Sequence, residues 1–277
     1  MKFRTFGIIG YGHFGRFMAR SFASRTGEVL VADTDSDKLP KHAKGIRGAD
    51  LDEVARCDVV IVAVPYSALE DVLKEIRDSL PERTVVLDTV STKEWSTALL
   101  ANILGHHPNI LATHPLFGPP SMKKMRKGQH LVVTHAVGER AEGFVGFLEK
   151  KFGLLVHRMS PEEHDRTMAY MQALPFFIAR ALVDLDILDL PNRDVLSLPS
   201  FEKLTSIAAI EMHHTDAMFD TSQRSNPFAA DARRAFIKAL STLNEEIAAG
   251  HLNFRNQAHA DPSALRADRP LPQLAPD

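Results

Sequence analysis

The sequence predicts an α/β fold in which a mostly parallel sheet is followed by an all-α domain. Over the first 158 residues, short apolar runs rich in β-branched residues alternate with segments of helical periodicity, which is typical of βαβ units. A glycine-rich turn, Gly10–Gly15, follows the first apolar run. Beyond residue 159 only helical patterns are convincing. These observations predict an N-terminal Rossmann-type domain and a helical C-terminal domain.

The predicted sheet domain covers residues 1–158. Its strands are predicted from apolar runs at Thr5–Gly10, Val29–Asp33, Val59–Val64, Thr84–Asp88, Asn109–Thr113, Leu131–Thr134 and Leu154–Arg158. Apolar residues recur at three- and four-residue spacing in the helices predicted at Phe14–Ala23, Ser67–Leu80 and Arg140–Lys151.

The predicted helical domain covers residues 159–255. Ser160–Glu163 combines a capping serine, a proline at the first helical position and a glutamate three residues after the cap, which predicts the start of a long helix. Pro175 should kink this helix because proline lacks a backbone donor. Further helices are predicted over Phe201–Met212 and Ala229–Ala249. Residues 256–277 are rich in Pro, Asp and Ala and are predicted to be disordered.

Composition excludes several classes of protein. The 33 basic and 35 acidic residues give a formal charge of −2, which argues against a general binder of nucleic acid or of membrane surfaces. No apolar run approaches the ~18 residues that a membrane helix needs. The N-terminus passes directly into a predicted strand without a signal-peptide pattern. The single cysteine, Cys57, excludes an internal disulfide framework and favours a cytoplasmic location.

The glycine-rich turn predicts a dinucleotide site, because it lies between a buried strand and a helix. Gly10 would permit the tight turn, Gly12 would let a diphosphate approach the backbone, and Gly15 would let helix and strand pack closely. Free N–H groups at the start of the predicted helix would bind the phosphates, which makes His13 and Phe14 candidate cofactor residues. The alternative is an ordinary structural turn.

An acidic residue predicts the type of cofactor. Asp33 ends the second predicted strand 18 residues after Gly15, where a carboxylate can accept hydrogen bonds from ribose hydroxyls. It would repel a 2′-phosphate, so NAD is favoured over NADP. Val64 and Pro65, at the end of the next strand, are predicted to border the cofactor.

Two further strand ends predict the chemistry. Asp88–Lys93 and His114 follow neighbouring strands, and ligands of open α/β sheets bind beyond the carboxyl ends of strands. His114 could accept the hydroxyl proton when a carbinol loses hydride, and Ser91 could orient the alcohol and the imidazole. A histidine at a strand end can also be purely structural. Lys93 could equally contact substrate or fix its own loop.

The motifs at these strand ends resemble a known family. Thr113–Pro119, of the form T-H-P-x-F-G-P, together with Asp88-x-x-Ser91-x-Lys93, resembles the prephenate/arogenate dehydrogenases of tyrosine biosynthesis, and most closely the branch that includes the plant arogenate dehydrogenases. The C-terminal half resembles the same family at Glu163–Arg166, Gln172–Pro175, Asn226–Ala230 and Arg233–Arg234.

The resemblance implies an activity, a cofactor and an oligomeric state. The implied reaction is NAD-dependent oxidative decarboxylation of a cyclohexadienol, giving 4-hydroxyphenylpyruvate from prephenate or tyrosine from arogenate. It implies that His114 accepts the hydroxyl proton and that Ser91 binds the alcohol or orients His114. Lys93 and Gly118 are predicted to border the substrate. It also implies a homodimer formed through the helical domain.

The chain departs from the family pattern at three positions. Ser206 stands where many members carry an arginine that binds a substrate carboxylate, and Arg224 is the predicted replacement, although a solvated arginine is the alternative. Phe176 stands where a histidine is common, and His135 stands where an acidic residue favours arogenate and an asparagine favours prephenate. The preferred substrate therefore cannot be deduced from the sequence.

Other histidines receive simpler interpretations. His164, in the first turn of its helix, could face the cleft between the domains, but a capping or surface role is an equal alternative. No cluster of Cys, His and carboxylate residues has the spacing of a metal site, so no metal is predicted.

Two rival functions follow from the same architecture. A β-hydroxyacid dehydrogenase would use a lysine of the helical domain, for which Lys203 and Lys238 are available. A nucleotide sensor would bind NAD without turnover. In all three hypotheses the binding partners are small molecules, not nucleic acid or membranes.

Overall fold

A computed structural model describes residues 2–40, 43–119, 123–210 and 215–250 of the chain. Its centre is one eight-stranded sheet, whose strands are β1 (Phe6–Ile9), β2 (Val29–Ala32), β3 (Ile46–Gly48), β4 (Val59–Val62), β5 (Val85–Asp88), β6 (Ile110–Pro115), β7 (His130–Val137) and β8 (Leu155–Arg158). The strand order is β3-β2-β1-β4-β5-β6-β7-β8. All neighbours pair in parallel except β6 and β7, which are antiparallel. The order reverses between β1 and β4, where such sheets bind ligands.

Within the described ranges, five α-helices lie between strands of the sheet along the chain: α1 (His13–Thr26), α2 (Leu51–Ala55), α3 (Leu69–Ile76), α4 (Lys93–Leu104) and α5 (Glu139–Phe147). The apolar patterns do not predict β3, α2 or α4. β3 and α2 have three and five residues, too few for a periodic pattern. The buried face of α4 begins with Lys93, Ser96 and Thr97, so its periodicity is partly polar.

The core lies on both faces of the sheet because alternate residues of each strand point to opposite sides. Phe6 and Ile8 of β1 pack with aromatic residues of α1 and α5, including Phe22 and Phe144. On the other face, strand residues pack with α2, α3 and α4. Cys57 is buried on this second face, and burial raises the pKa of its thiol to about 11, which makes it unreactive.

The remaining described helices are α6 (Pro161–Met168), α7 (Leu174–Asp184), α8 (Arg193–Leu196), α9 (Pro199–Ala208), α10 (Asp216–Asp220) and α11 (Ala229–Ala248). A π-helical turn, Ala169–Ala173, joins α6 to α7. Pro175 explains this turn, because its ring would clash with the carbonyl of Met171 in a regular α-helix. The predicted irregularity therefore takes the form of a widened turn.

The described residues form two compact units. Residues 2–165 with 215–225 form one, and residues 166–210 with 226–250 form the other. The first turn of α6 and all of α10 thus group with the sheet. Within the described ranges, every element after β8 is helical, which confirms the predicted fold class. The domain limits at 158 and 255 stay predictions, and the predicted tail, 256–277, lies outside the described residues.

Among the helices that the structure describes, none is both long and apolar enough to span a membrane.

Candidate active site

The glycine-rich turn has the geometry of a dinucleotide site. Gly10 has φ = +92°, and a Cβ there would lie 2.5 Å from the Ala63 carbonyl oxygen. A Cβ at Gly15 would lie 1.8 Å from the Gly10 carbonyl oxygen, so α1 and the end of β1 touch. A Cβ at Gly12 would meet nothing within 4 Å. Packing thus requires the first and third glycines, whereas the second leaves room above the start of α1 for a diphosphate.

The other predicted cofactor residues lie around this turn. His13 is exposed and opens α1, and Phe14 is half-buried and stacks on Phe17, with ring centroids 5.9 Å apart. Val64 lies beside the turn, since its Cγ1 is 3.0 Å from the Cβ position of Gly10, and Pro65 after it is exposed.

Asp33 ties the end of β2 to the glycine-rich turn. Its Oδ2 accepts the Tyr11 N–H at 2.7 Å, and its Oδ1 accepts the Asp35 N–H at 2.9 Å. Partial burial would raise the pKa of Asp33, but these two hydrogen bonds and the Lys38 ammonium, 3.7 Å from Oδ1, outweigh burial and lower it. The carboxylate is therefore charged at neutral pH and still has lone pairs for ribose hydroxyls.

His114 lies in β6 and is buried, with 6% of its surface exposed. Its Nδ1 is 2.9 Å from Nε2 of His164, and Nδ1 of His164 is 2.7 Å from Oδ1 of Asp165. His164 and Asp165 are fully buried in α6. The three side chains form a chain of hydrogen bonds that ends at a carboxylate.

Asp165 also holds the start of α4. Its Oδ1 accepts the Lys93 N–H at 2.7 Å, and its Oδ2 accepts the Glu94 N–H at 2.9 Å. The preceding residue, Thr92, makes no side-chain capping bond, so Asp165 supplies the cap from another helix. A carboxylate at a helix N-terminus that accepts two backbone N–H groups is stabilised in its ionised form.

When His164 is neutral, these contacts fix the tautomers of both histidines. Because Asp165 only accepts, the proton of neutral His164 is on Nδ1, and its Nε2 must accept from Nδ1–H of His114. The lone pair of His114 is therefore on Nε2. The pKa of His114 lies well below its usual value, first because burial penalises the cation and then because His164 and the Lys93 ammonium lie near it. At neutral pH His114 is a neutral base with its acceptor nitrogen defined.

A buried ion pair between Lys93 and Asp88 fixes the backbone next to His114. Lys93 Nζ is 2.6 Å from Oδ2 of Asp88 and donates to the Thr113 carbonyl at 2.8 Å, and neither charged side chain is exposed. Oδ1 of Asp88 accepts the Thr113 N–H at 3.1 Å. The pair joins the end of β5 to the residue before His114. Of the two roles considered for Lys93, this geometry favours fixing the loop.

The structure places the remaining predicted substrate residues separately. Ser91 is half-buried on the segment between β5 and α4, and Gly118 is half-buried in the turn after β6. Arg224 is exposed, and its Nε pairs with Oδ1 of Asp220 at 2.8 Å. Ser91 therefore lies on the segment that the Lys93 and Asp165 contacts hold, whereas Arg224 is joined to no predicted site residue by these contacts.

The positions that depart from the family pattern are also located. His135 is half-buried in β7 opposite Ala112, and Phe176 is half-buried in α7. Ser206 is exposed and its hydroxyl donates to the Glu202 carbonyl at 2.7 Å. Lys203 and Lys238, which the β-hydroxyacid dehydrogenase hypothesis requires, are exposed in α9 and α11.

Sequence reasoning missed the role of two residues. The capping or surface role considered for His164 is wrong, because this side chain is fully buried against His114. Asp165 received no role at all. The available signal was the Glu163–Arg166 segment that resembles the family, but spacing could not show that it meets His114, 50 residues away in sequence.

Two family models match the chain. One, described as prephenate dehydrogenase, nucleotide-binding domain, matches residues 18–143, and the other, described as prephenate dehydrogenase, dimerization domain, matches residues 160–257. The chain belongs to the prephenate dehydrogenase family. This confirms the family that the motifs at β5 and β6 predicted.

Curated relatives carry related names. A probable arogenate/prephenate dehydrogenase of Methanocaldococcus jannaschii is 26% identical over 254 residues, which cover 87% of this chain and 56% of the relative. Arogenate dehydrogenase 1, chloroplastic, of Arabidopsis thaliana is 28% identical over 219 residues, which cover 73% of this chain and 33% of the relative. The chain thus spans only part of the length of these relatives. They include an archaeal and a plant protein, and the plant-like branch stays a prediction.

Solved structures share the fold. Prephenate dehydrogenase of A. aeolicus, solved with hydroxyphenyl propionate and NAD+, superposes with a TM-score of 0.73 at 23% identity, covering 90% of this chain and 92% of that one. Arogenate dehydrogenase of Synechocystis gives a TM-score of 0.65 at 16% identity, covering 90% and 93%. A 3-hydroxybutyryl-CoA dehydrogenase of Escherichia coli gives only 0.54 at 18% identity, covering 79% and 53%.

Proposed function

We propose that this chain is an NAD-dependent dehydrogenase that oxidatively decarboxylates a cyclohexadienol, prephenate or arogenate. The observation that carries the proposal is the neutral His114. Its Nδ1 is hydrogen-bonded to His164, which is hydrogen-bonded to Asp165 in turn, so the lone pair of His114 that can accept a proton is on Nε2. It lies at the carboxyl end of a strand in a sheet whose glycine-rich turn fits a dinucleotide. Family membership and the names of the relatives support the same activity.

The residues of this chain divide the chemistry among them. Bound NAD would supply the hydride acceptor for the hydrogen on C4 of the ring. His114 Nε2 accepts the proton of the C4 hydroxyl as the hydride leaves, and Ser91 orients that hydroxyl. The electrons of the bond to the ring carboxylate then enter the ring, which becomes aromatic as CO2 departs. The proton returns from His114 to the oxygen, so the reaction releases no net proton.

NAD is the proposed cofactor over NADP because Asp33 is a charged carboxylate beside the glycine-rich turn. A 2′-phosphate placed there would meet its negative charge. Lys38 lies near Asp33 but is half-exposed, so solvent screens much of its charge. The cytoplasmic location predicted from the sequence remains part of the proposal.

We propose that Arg224 is the cationic side chain that binds a carboxylate of the dianionic substrate. A carboxylate needs a guanidinium or a comparable donor, and Ser206 replaces the arginine that many relatives use. We expect Arg224→Ala to raise KM for substrate about tenfold with little change in kcat. Arg77→Ala is a matched control, because Arg77 is also an exposed arginine paired with an aspartate on its own segment. Equal KM values for both variants and the wild type would contradict the assignment.

Homodimerisation through the helical domain is also proposed. α11 exposes an apolar stripe of Ile237, Leu240, Leu243 and Ile247, each with 47–53% of its residue surface accessible. The spacing of three to four residues places them on one helix face. The family model that matches this half of the chain is described as a dimerization domain.

The decisive experiment follows NADH or NADPH absorbance with prephenate and with arogenate, each combined with NAD and with NADP. Turnover with either substrate is the expected result, and the ratio of the two kcat/KM values determines the preferred substrate. A preference for NADP would contradict the role given to Asp33. No turnover in any combination, with NAD binding measured by calorimetry, would favour the sensor hypothesis.

A further inference from the structure

The proposed reaction poses a problem for a buried base. His114 must take a proton from the substrate hydroxyl and return it to the same oxygen after CO2 has left. Between these two steps the added proton leaves a positive charge on the protein, and His114 is an unfavourable site for that charge. The ring is buried, and the nearby ammonium of Lys93 repels a second cation.

The neighbouring histidine is a better place for the charge. His164 Nε2 already accepts from His114 at 2.9 Å, and its Nδ1 already donates to Asp165 at 2.7 Å. An imidazolium at His164 would therefore face a carboxylate directly. The charged groups around the histidine pair are Lys93 from α4, Asp165 from α6 and, beneath them, Asp88 from β5. Of these, Asp165 is in direct contact with a histidine of the pair.

We propose that His164 is a proton relay, which stores the substrate proton while hydride and CO2 leave. As Nε2 of His114 takes the hydroxyl proton, the proton on Nδ1 of His114 moves to Nε2 of His164. His114 becomes the neutral Nε2–H tautomer, and the positive charge lies on His164 against Asp165. Both transfers reverse when the phenolate oxygen takes its proton back. Protons and charge balance without an outside acceptor.

Burial agrees with this role. His164 and Asp165 have no exposed surface, so a proton on His164 cannot pass directly to bulk water. Because the reaction releases no net proton, the proton needs a temporary binding site inside the protein and no path to solvent. This inference rests on the proposed function for its chemistry, but the location of the first added proton can be measured without any turnover.

The first test is an acid titration of the wild-type protein with 15N-labelled histidine, followed by NMR. Of the two histidines of the pair, we expect His164 to become an imidazolium first, with His114 changing from the Nδ1–H to the Nε2–H tautomer at the same pH. If His114 becomes the imidazolium before His164, the relay is overturned. Because the experiment uses no substrate, its failure is distinct from a failure of the proposed function, which would appear as absence of turnover in the wild type.

The second test is His164→Gln, assayed with whichever of prephenate and arogenate the wild type converts. The glutamine oxygen can still accept from Nδ1–H of His114 and its amide can still donate to Asp165, so the tautomer is kept while the protonatable nitrogen is lost. We expect kcat to fall about 10²-fold and the solvent deuterium isotope effect to change. A fall of less than tenfold with an unchanged isotope effect would overturn the relay.

A matched control is His107→Gln. His107 is half-buried and contacts the Thr84 carbonyl at 2.6 Å, near the amino ends of β5 and β6 and thus at the opposite edge of the sheet from His114. We expect its kcat and isotope effect to equal those of the wild type. Equal losses in the His107 and His164 variants would show a general effect of removing a buried histidine and would overturn the relay.

Discussion

Replacing Lys93 by methionine tests the buried ion pair beneath His114. The ammonium lies 2.6 Å from Oδ2 of Asp88, and both side chains have no exposed surface. Methionine fills a similar volume but leaves the Asp88 carboxylate buried without its cation. Removing one partner of a buried pair typically costs about 3–5 kcal/mol in the free energy of unfolding.

The remaining contacts refine this magnitude. Asp88 keeps the N–H groups of Val90 at 3.2 Å and Thr113 at 3.1 Å, which partly stabilise the carboxylate. We therefore expect the lower end of the range, about 3 kcal/mol. In the double variant Asp88→Asn with Lys93→Met no charge remains, and most of the loss should be recovered. Lys74→Met is the control, because the Lys74–Glu70 pair has the same 2.6 Å separation but is exposed.

The assay is urea unfolding at neutral pH, with the midpoint and the slope compared across the four proteins. We expect a lowered midpoint for Lys93→Met and a midpoint close to the wild type for Lys74→Met. Loss of the Lys93 charge should also raise the pKa of His114, which moves the acid limb of the kcat/KM profile to higher pH. A Lys93→Met midpoint equal to that of Lys74→Met would refute the reasoning.

Three further changes test the site and the interface. His114→Ala should lower kcat about 10²–10⁴-fold while NAD binding, measured by calorimetry, stays the same; weakened NAD binding would contradict the role of proton acceptor. Asp33→Ser should lower the ratio of kcat/KM with NAD to that with NADP at least tenfold, and an unchanged ratio would show that Asp33 does not select the cofactor. Ile237→Glu with Leu240→Glu should halve the molar mass measured by light scattering, unless α11 lies outside the dimer interface.

Local patterns predicted much of the fold because they report on backbone geometry. The runs of β-branched residues coincide with seven of the eight strands, and the glycines at 10, 12 and 15 lie where strand and helix touch or leave space. The short strand β3 and helix α2 gave no pattern. α4 was missed for another reason: its buried face carries Lys93 and Ser96, whose burial depends on partners elsewhere in the chain.

The sequence by itself determined the α/β class, the glycine-rich turn, the acidic end of β2 and the position of His114 at a strand end. Each depends on residues close together along the chain. The tertiary structure alone decided that His164 and Asp165 meet His114 and α4 across 50 and 72 residues of sequence, that His114 is a neutral base, and that Lys93 is enclosed. Packing brings these side chains together, and their charge states follow from burial and contacts that no local spacing encodes.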